Sequence, residues 1–190
     1  MKTSQRHRSH LSSLLLGSSF LLFAYLAAAS LTWDANTGTT GAQDGSGNWA
    51  GNNWWNGSAN VTWTAANDAV FGAGTDGTYF LDIAGLPNPA VQTIRFINSG
   101  YTLTNDVSQS VALSAASGAT IPQIRLDSGK TATVGTNVIL EPSTAVILYV
   151  GATTPAAGGT LNIENGGIVR SAQQSLIIDG GWTSVSPSPY

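Results

Sequence analysis

Three tryptophans fall close together in Gly47-Asn48-Trp49-Ala50-Gly51-Asn52-Asn53-Trp54-Trp55-Asn56-Gly57. Indole rings can stack on sugar faces, and side-chain amides can hydrogen-bond to hydroxyls. Trp49, Trp54, Trp55 and Asn53 are therefore candidates for a carbohydrate platform. The same rings bury a large apolar area, and an indole N–H tolerates a half-wet site. A structural cap that closes the end of a small core is the first expectation, and a ligand platform the second. If Trp54 and Trp55 lie in an extended segment, they point to opposite faces, so one can plug a core while the other stays free.

The acids form the other chemistry-bearing set: Asp34, Asp44, Asp68, Asp76, Asp82, Asp106, Asp127, Glu141, Glu164 and Asp179. Two carboxylates flanking a glycosidic bond can cleave it. Most of these acids stand in turns such as Asp44-Gly45, Asp76-Gly77 and Asp179-Gly180, where Asp shapes the backbone. Asp127 and Glu164 end similar strand–turn phrases and are expected to stack on one face. A solvated corner is the simpler reading of that pair, and a polysaccharide-cleaving site a remote one. Gly72-Ala73-Gly74-Thr75-Asp76-Gly77 resembles a calcium-binding glycine–aspartate loop, but such loops work by repetition and this one occurs once. Lys130, in Ser128-Gly129-Lys130-Thr131, lacks the earlier glycine at the spacing a phosphate-binding loop requires, and the following helix.

The chain has no cysteine, and its two histidines, His7 and His10, lie at the extreme N-terminus. Ser-His-Asp and Cys-His nucleophilic machinery is thereby excluded from the remainder, as are the usual zinc sites. No catalytic residue, metal or cofactor is expected.

Lys2, Arg6 and Arg8 precede an apolar run from Leu11 to Tyr25, and Ala27-Ala28-Ala29 follows. A basic start, a short apolar stretch and small residues at a cleavage point read as a secretory signal peptide over residues 1–29. The run is about 15 residues, short of the roughly 20 that span a bilayer. Once it is removed, four basic residues (Arg95, Arg125, Lys130 and Arg170) face ten acids, a net charge of −6. That balance excludes a nucleic-acid footprint and a polybasic patch for anionic lipid. No membrane insertion of the mature chain is expected. Without cysteine, stability must come from packing and backbone hydrogen bonds.

Helical periodicity is nearly absent after residue 30, whereas short strand patterns recur to the end. Examples are Tyr79-Phe80-Leu81-Asp82-Ile83, Gln92-Thr93-Ile94-Arg95-Phe96-Ile97 and Thr131-Ala132-Thr133-Val134. Turns such as Asn98-Ser99-Gly100 and Asp127-Ser128-Gly129 separate them and accept positive φ. One phrase, apolar-polar-apolar then a turn ending in Gly, appears at Ile94–Gly100, Ile124–Gly129 and Leu161–Gly166. Its recurrence predicts an all-β right-handed β-solenoid or parallel β-helix, each coil reusing one corner. The alternative is an antiparallel β-sandwich or jelly roll. A solenoid leaves its first strand exposed, and such an edge must be covered; Trp33, Trp49, Trp54, Trp55 and Trp63 all fall where that cover is needed. The expected organisation is a signal peptide at 1–29, a Trp/Gly/Asn-rich cap with the first strands at 30–90, solenoid coils at 91–181 and a Pro/Ser tail at 182–190.

The order Leu31-Thr32-Trp33-Asp34, Gly47-Asn48-Trp49, Asn53-Trp54, Asn67-Asp68-Ala69-Val70-Phe71-Gly72, Ile94-Arg95-Phe96 and Gly100-Tyr101-Thr102-Leu103-Thr104 resembles the N-terminal region of bacterial exported proteins with autotransporter-associated β-strand repeats. The resemblance covers about residues 30–105 and implies a β-helical passenger displayed outside a Gram-negative cell or at its outer membrane. The family's Gly-Thr-Leu-rich repeated unit is not found, nor is a C-terminal barrel or sorting anchor. The ending Ser186-Pro187-Ser188-Pro189-Tyr190 reads as an interrupted passenger. The expected function is non-enzymatic surface display or adhesion, with surface polysaccharide or other cell-surface proteins as partners. A secreted carbohydrate-binding module built on the tryptophans is the alternative.

Overall fold

The computed structural model describes residues 29–85, 90–114, 121–143, 148–152, 158–171 and 176–178. Nearly all of the expected signal segment, the expected tail and Trp182 lie outside the described residues. No helix occurs among the described residues, and the fold is all-β.

Alternation between branched apolar and polar residues produces strands, and the strands pair in three parallel ladders. The first joins β1 (Ser30–Trp33), β5 (Asn67–Phe71), β7 (Ala90–Phe96), β10 (Gln123–Leu126), β13 (Leu148–Ala152) and β16 (Leu176–Ile178). The second joins β2 (Gly47–Asn48), β6 (Tyr79–Asp82), β8 (Tyr101–Thr104), β11 (Thr131–Val134) and β14 (Thr160–Ile163). The third runs from the start of β7 through β9 (Gln109–Leu113) and β12 (Val138–Pro142) to β15 (Ile168–Val169). Antiparallel pairing, which a sandwich would use throughout, occurs among the described residues only where β3 (Trp54–Trp55) adds to β1 and β4 (Asn60–Val61) adds to β3.

Register converts the alternation into a core. Ala69 pairs with Ile94, Ile94 with Ile124 and Ile124 with Val150, so one apolar rung lies beside the next. Phe71, Phe96 and Leu126 form a second such line, and Leu103 and Val134 contribute from the second ladder. All are buried in one apolar cluster. Burying each such side chain contributes about 1.5–3 kcal/mol.

The recurring phrase does not keep one place in this arrangement. Ile94-Arg95-Phe96 and Ile124-Arg125-Leu126 are register partners in the first ladder. Leu161-Asn162-Ile163 instead pairs with Ala132-Thr133-Val134 in the second. The expectation that Asp127 and Glu164 share a face is therefore corrected: they end strands of different ladders. Apolar-polar-apolar-turn is the grammar of any strand that ends at a corner, and the core register decides which corner.

Corners demand glycine where backbones converge. Gly100 has φ of +94°, and an added Cβ would run into the Gly77 carbonyl. Asn137 holds φ of +64°, and its amide donates to the Asn105 and Asp106 carbonyls at 3.2 and 3.0 Å.

Candidate functional site

The tryptophan segment is a short antiparallel addition at one edge of the first ladder. Thr32 and Trp33 pair with Trp55 and Trp54, which then pair with Asn60 and Val61. Being extended, β3 sends its two indoles to opposite faces: Trp54 is fully buried and Trp55 only partly. Trp33, Trp49 and Trp63 are buried with Trp54, and the ring centroids of Trp54 and Trp63 stand 4.6 Å apart. Trp49 and Trp54 both reach Phe71, at 5.2 and 5.5 Å, and Phe71 stacks on Phe96 at 5.3 Å. Edge-to-face and tilted pairs of this kind add about 0.5–1.5 kcal/mol each beyond area burial.

Hydrogen bonds hold the addition down. Trp54 Nε1 donates to the Trp49 carbonyl at 3.0 Å and Trp33 Nε1 to the Gly45 carbonyl at 2.9 Å. Buried Asp34 accepts from Asn60 Nδ2 at 2.8 Å and from the Asn36 N–H at 3.0 Å. The Asn53 amide donates to the Asp34 carbonyl at 3.0 Å, so it serves the lid itself. Of the four platform candidates, Trp49 and Trp54 present no face to solvent. Trp55 and Asn53 keep partial exposure.

Asp44 locks this region to the ladders below. Its carboxylate accepts the Ala73 and Thr75 N–H groups at 2.9 and 2.8 Å, Asn98 Nδ2 at 3.1 Å and the Tyr101 hydroxyl at 2.6 Å. Burial first, and then Asp44, push the Tyr101 phenol above its ordinary range. In the Gly72–Gly77 loop, the Asp76 carboxylate accepts the Ser99 N–H at 2.7 Å and pairs with Lys130 at 2.9 Å. The Ser99 hydrogen bond, and then Lys130, hold the Asp76 carboxyl below its ordinary range. The carboxylates here collect N–H groups from the protein, and no cluster of three or more acids, His or Cys suited to a metal occurs among the described residues.

A second region was not anticipated from the sequence. An open groove of about 880 Å³ crosses the outer face of β5, β7 and β10, lined by Asp68, Thr93, Arg95, Gln123, Arg125 and Asp127, with Ser128 and Lys130 at the following turn. Register brings these residues together: Thr93 pairs with Gln123 and Arg95 with Arg125. The side chain of Arg95 forks onto Asp127 through Nε and Nη2, both at 2.9 Å. Arg125 Nε donates to Gln123 Oε1 at 2.7 Å. Asp68 accepts from the Thr93 hydroxyl and N–H, yet burial outweighs those bonds and raises its carboxyl above the ordinary 3.8. Its Oδ1 has no hydrogen-bond donor.

The two carboxylates of the groove do not form a hydrolytic pair. Asp68 and Asp127 are separated by about four residues along the strands and two strand spacings across them, roughly 16 Å. Glycoside cleavage by paired acids works at about 5–10 Å. The sequence signal of the groove is Ile-Arg-(Phe/Leu) at residues 94–96 and 124–126, a repeat that register turns into paired arginines.

No protein-family model matches the chain, and neither a curated protein nor a solved structure matches it. No helix among the described residues is long and apolar enough to cross a membrane.

Proposed function

We propose that the chain is a non-enzymatic, exported β-solenoid of passenger type, whose role is surface display or adhesion. The observation that carries this reading is the set of three parallel ladders with apolar rungs inside. Strands that return to the same ladder on each circuit are what a β-solenoid requires, and such a coil extends an outer surface without enlarging its core. The tryptophan region is the N-terminal cap of that coil. The basic, apolar and small-residue order of residues 1–29 supplies the export signal, and the resemblance to exported proteins with autotransporter-associated β-strand repeats agrees with both. Bacterial surface polysaccharide or another cell-surface protein is the partner class.

The test is the fate of the chain in a Gram-negative host. A C-terminally tagged chain should be recovered outside the inner membrane, and N-terminal sequencing should find a mature start at Ser30. Recovery in the cytoplasm with Met1 in place sinks the proposal. A carbohydrate platform on the tryptophans is the weaker reading, because Trp49 and Trp54 are spent on the core.

A further inference from the structure

We propose that the Gly72–Gly77 loop is a strap that two carboxylates hold shut and acid releases, opening over the aromatic pair Tyr79 and Tyr101. The strap joins β5 to β6, and among the described residues no backbone–backbone hydrogen bond reaches residues 73–76. Its N–H groups go to a side chain instead: Ala73 and Thr75 donate to Asp44 at 2.9 and 2.8 Å. Its own carboxylate, Asp76, accepts the Ser99 N–H at 2.7 Å and Lys130 Nζ at 2.9 Å. The segment is thus tied down by two acids rather than by a ladder.

The Asp44 carboxylate has no place for a proton. Its Oδ1 receives the Ala73 N–H and the Tyr101 hydroxyl, and its Oδ2 receives the Thr75 N–H and Asn98 Nδ2. An ionised carboxylate only accepts, whereas a protonated one donates from one oxygen. Whichever oxygen takes the proton faces two donors already aimed at it. The Tyr101 hydroxyl can turn round, but a backbone N–H cannot, so protonation of either oxygen sets an O–H against an N–H of the strap. Asp76 adds to the device with the sign of a paired acid. The Ser99 N–H, and then Lys130, hold its carboxyl below 3.8, so its contribution is present above that value and is lost as pH falls through the folded one.

The other titratable and charged groups that face these two acids are Tyr79 on β6, Tyr101 on β8 and Lys130 before β11. All three keep their protons throughout the acid range, so the carboxylates are the groups that change. What the strap covers is aromatic. The Tyr79 and Tyr101 rings stand 4.8 Å apart, and the Tyr79 hydroxyl donates to the Thr75 carbonyl at 3.1 Å. A cavity of about 290 Å³ already lies here, lined by Ala42, Gln43, Asp44, Ala73, Thr75 and Tyr79. Release widens that cavity and bares the Tyr79 ring. The device rests on the fold and not on the export reading.

The experiment is backbone amide exchange of the purified chain, resolved by residue with NMR and corrected for the intrinsic pH dependence of exchange. At neutral pH the Ala73 and Thr75 amides should be protected. Below about pH 3.8 they should lose that protection by at least about tenfold, while Leu103 and Val134, in the second ladder, keep theirs. Asp44→Asn puts a donor where an acceptor stood, so it should produce the same loss at neutral pH, again at least about tenfold. Asp76→Asn, which leaves Asp44 in place, should produce a smaller one. Asp106→Asn, an exposed acid on the turn before β9, should exchange as the parent does. The proposal is overturned if the strap amides keep their protection in Asp44→Asn, or if Asp106→Asn loosens them equally. It is also overturned if Asp44→Asn exposes Leu103 and Val134 together with the strap, since Asp44 would then serve the whole fold.

Discussion

The N-terminal third and the later ladders solve the same problem, burial of a narrow core, by opposite means. Around β1 to β6 the core is aromatic. Trp33 and Trp63 pack on Trp54, and Trp49 and Trp54 in turn meet Phe71, so each ring does a job its neighbours cannot take over. From β10 onward the core is a line of small aliphatic rungs, Ile124 beside Val150 and Ala132 beside Leu161, each resembling the next. Indoles fill an irregular end because they are large and carry one N–H; repeating rungs need residues that repeat. The first region is thus singular and the second modular. They also differ at their limits: β3 and β4 are only two residues long and antiparallel, a blunted edge of the kind that resists further pairing.

If the first region is singular, damage there should be the most severe. Trp54→Ala removes a fully buried indole from contact with Trp33, Trp49, Trp63 and Phe71. A loss of about 3–5 kcal/mol is expected, read by urea denaturation. Trp55→Ala, one residue away on the other face, should lose about 1 kcal/mol or less. Equal losses in the two variants would break the cap reading.

If the second region is modular, one unit should be removable. Leu126 and Ala152 occupy equivalent rungs of β10 and β13. Excising residues 127–152 therefore deletes one return to the first ladder while leaving the N-terminal tryptophan region intact. The shortened chain should keep its β-rich circular dichroism and unfold cooperatively, with a smaller loss than the about 3–5 kcal/mol of Trp54→Ala. A chain that no longer folds would mean that the later ladders are as singular as the tryptophan region.

This contrast also explains which features could be read in the sequence. Strands such as Tyr101–Thr104 and Thr131–Val134 were plain, because alternation is local and each inward residue must be apolar. The opposed faces of Trp54 and Trp55 followed from strand geometry alone. Register was not local: nothing in Leu161-Asn162-Ile163 distinguishes a partner for Ala132 from a partner for Ile124, and only the whole core decides. The groove stayed hidden for the same reason. Asp68, Thr93, Gln123 and Asp127 are far apart in the chain, and two turns of register bring them together. The antiparallel addition is not legible in the sequence because Gly- and Asn-rich stretches signal turns, while the pairing of Trp54 and Trp55 with β1 goes with burial of the Trp54 indole.

The smallest effect tests whether Asp68, on β5 at the edge of the aromatic region, is kept at a cost to stability. Burial raises the Asp68 carboxyl above 3.8 despite its hydrogen bonds from Thr93. The sign is opposite to that of a paired acid. The folded state holds this proton more tightly than the unfolded chain, so Asp68 favours folding below about pH 3.8 and gives up that contribution as pH rises through its folded value. At neutral pH the ionised carboxylate is a net cost. Asp68→Asn keeps the shape and removes the charge, so at pH 7 it should gain stability, by less than about 1 kcal/mol at this half-exposed site. The gain, read as the difference in urea midpoint between variant and parent, should shrink toward zero as pH falls below 3.8. Glu141 and Asp76 titrate with the opposite sign, their carboxyls lowered by Arg170 and by the Ser99 N–H, but both are present in parent and variant and cancel in the difference. A variant less stable than its parent at pH 7 would show that Asp68 serves the fold rather than being kept at a cost.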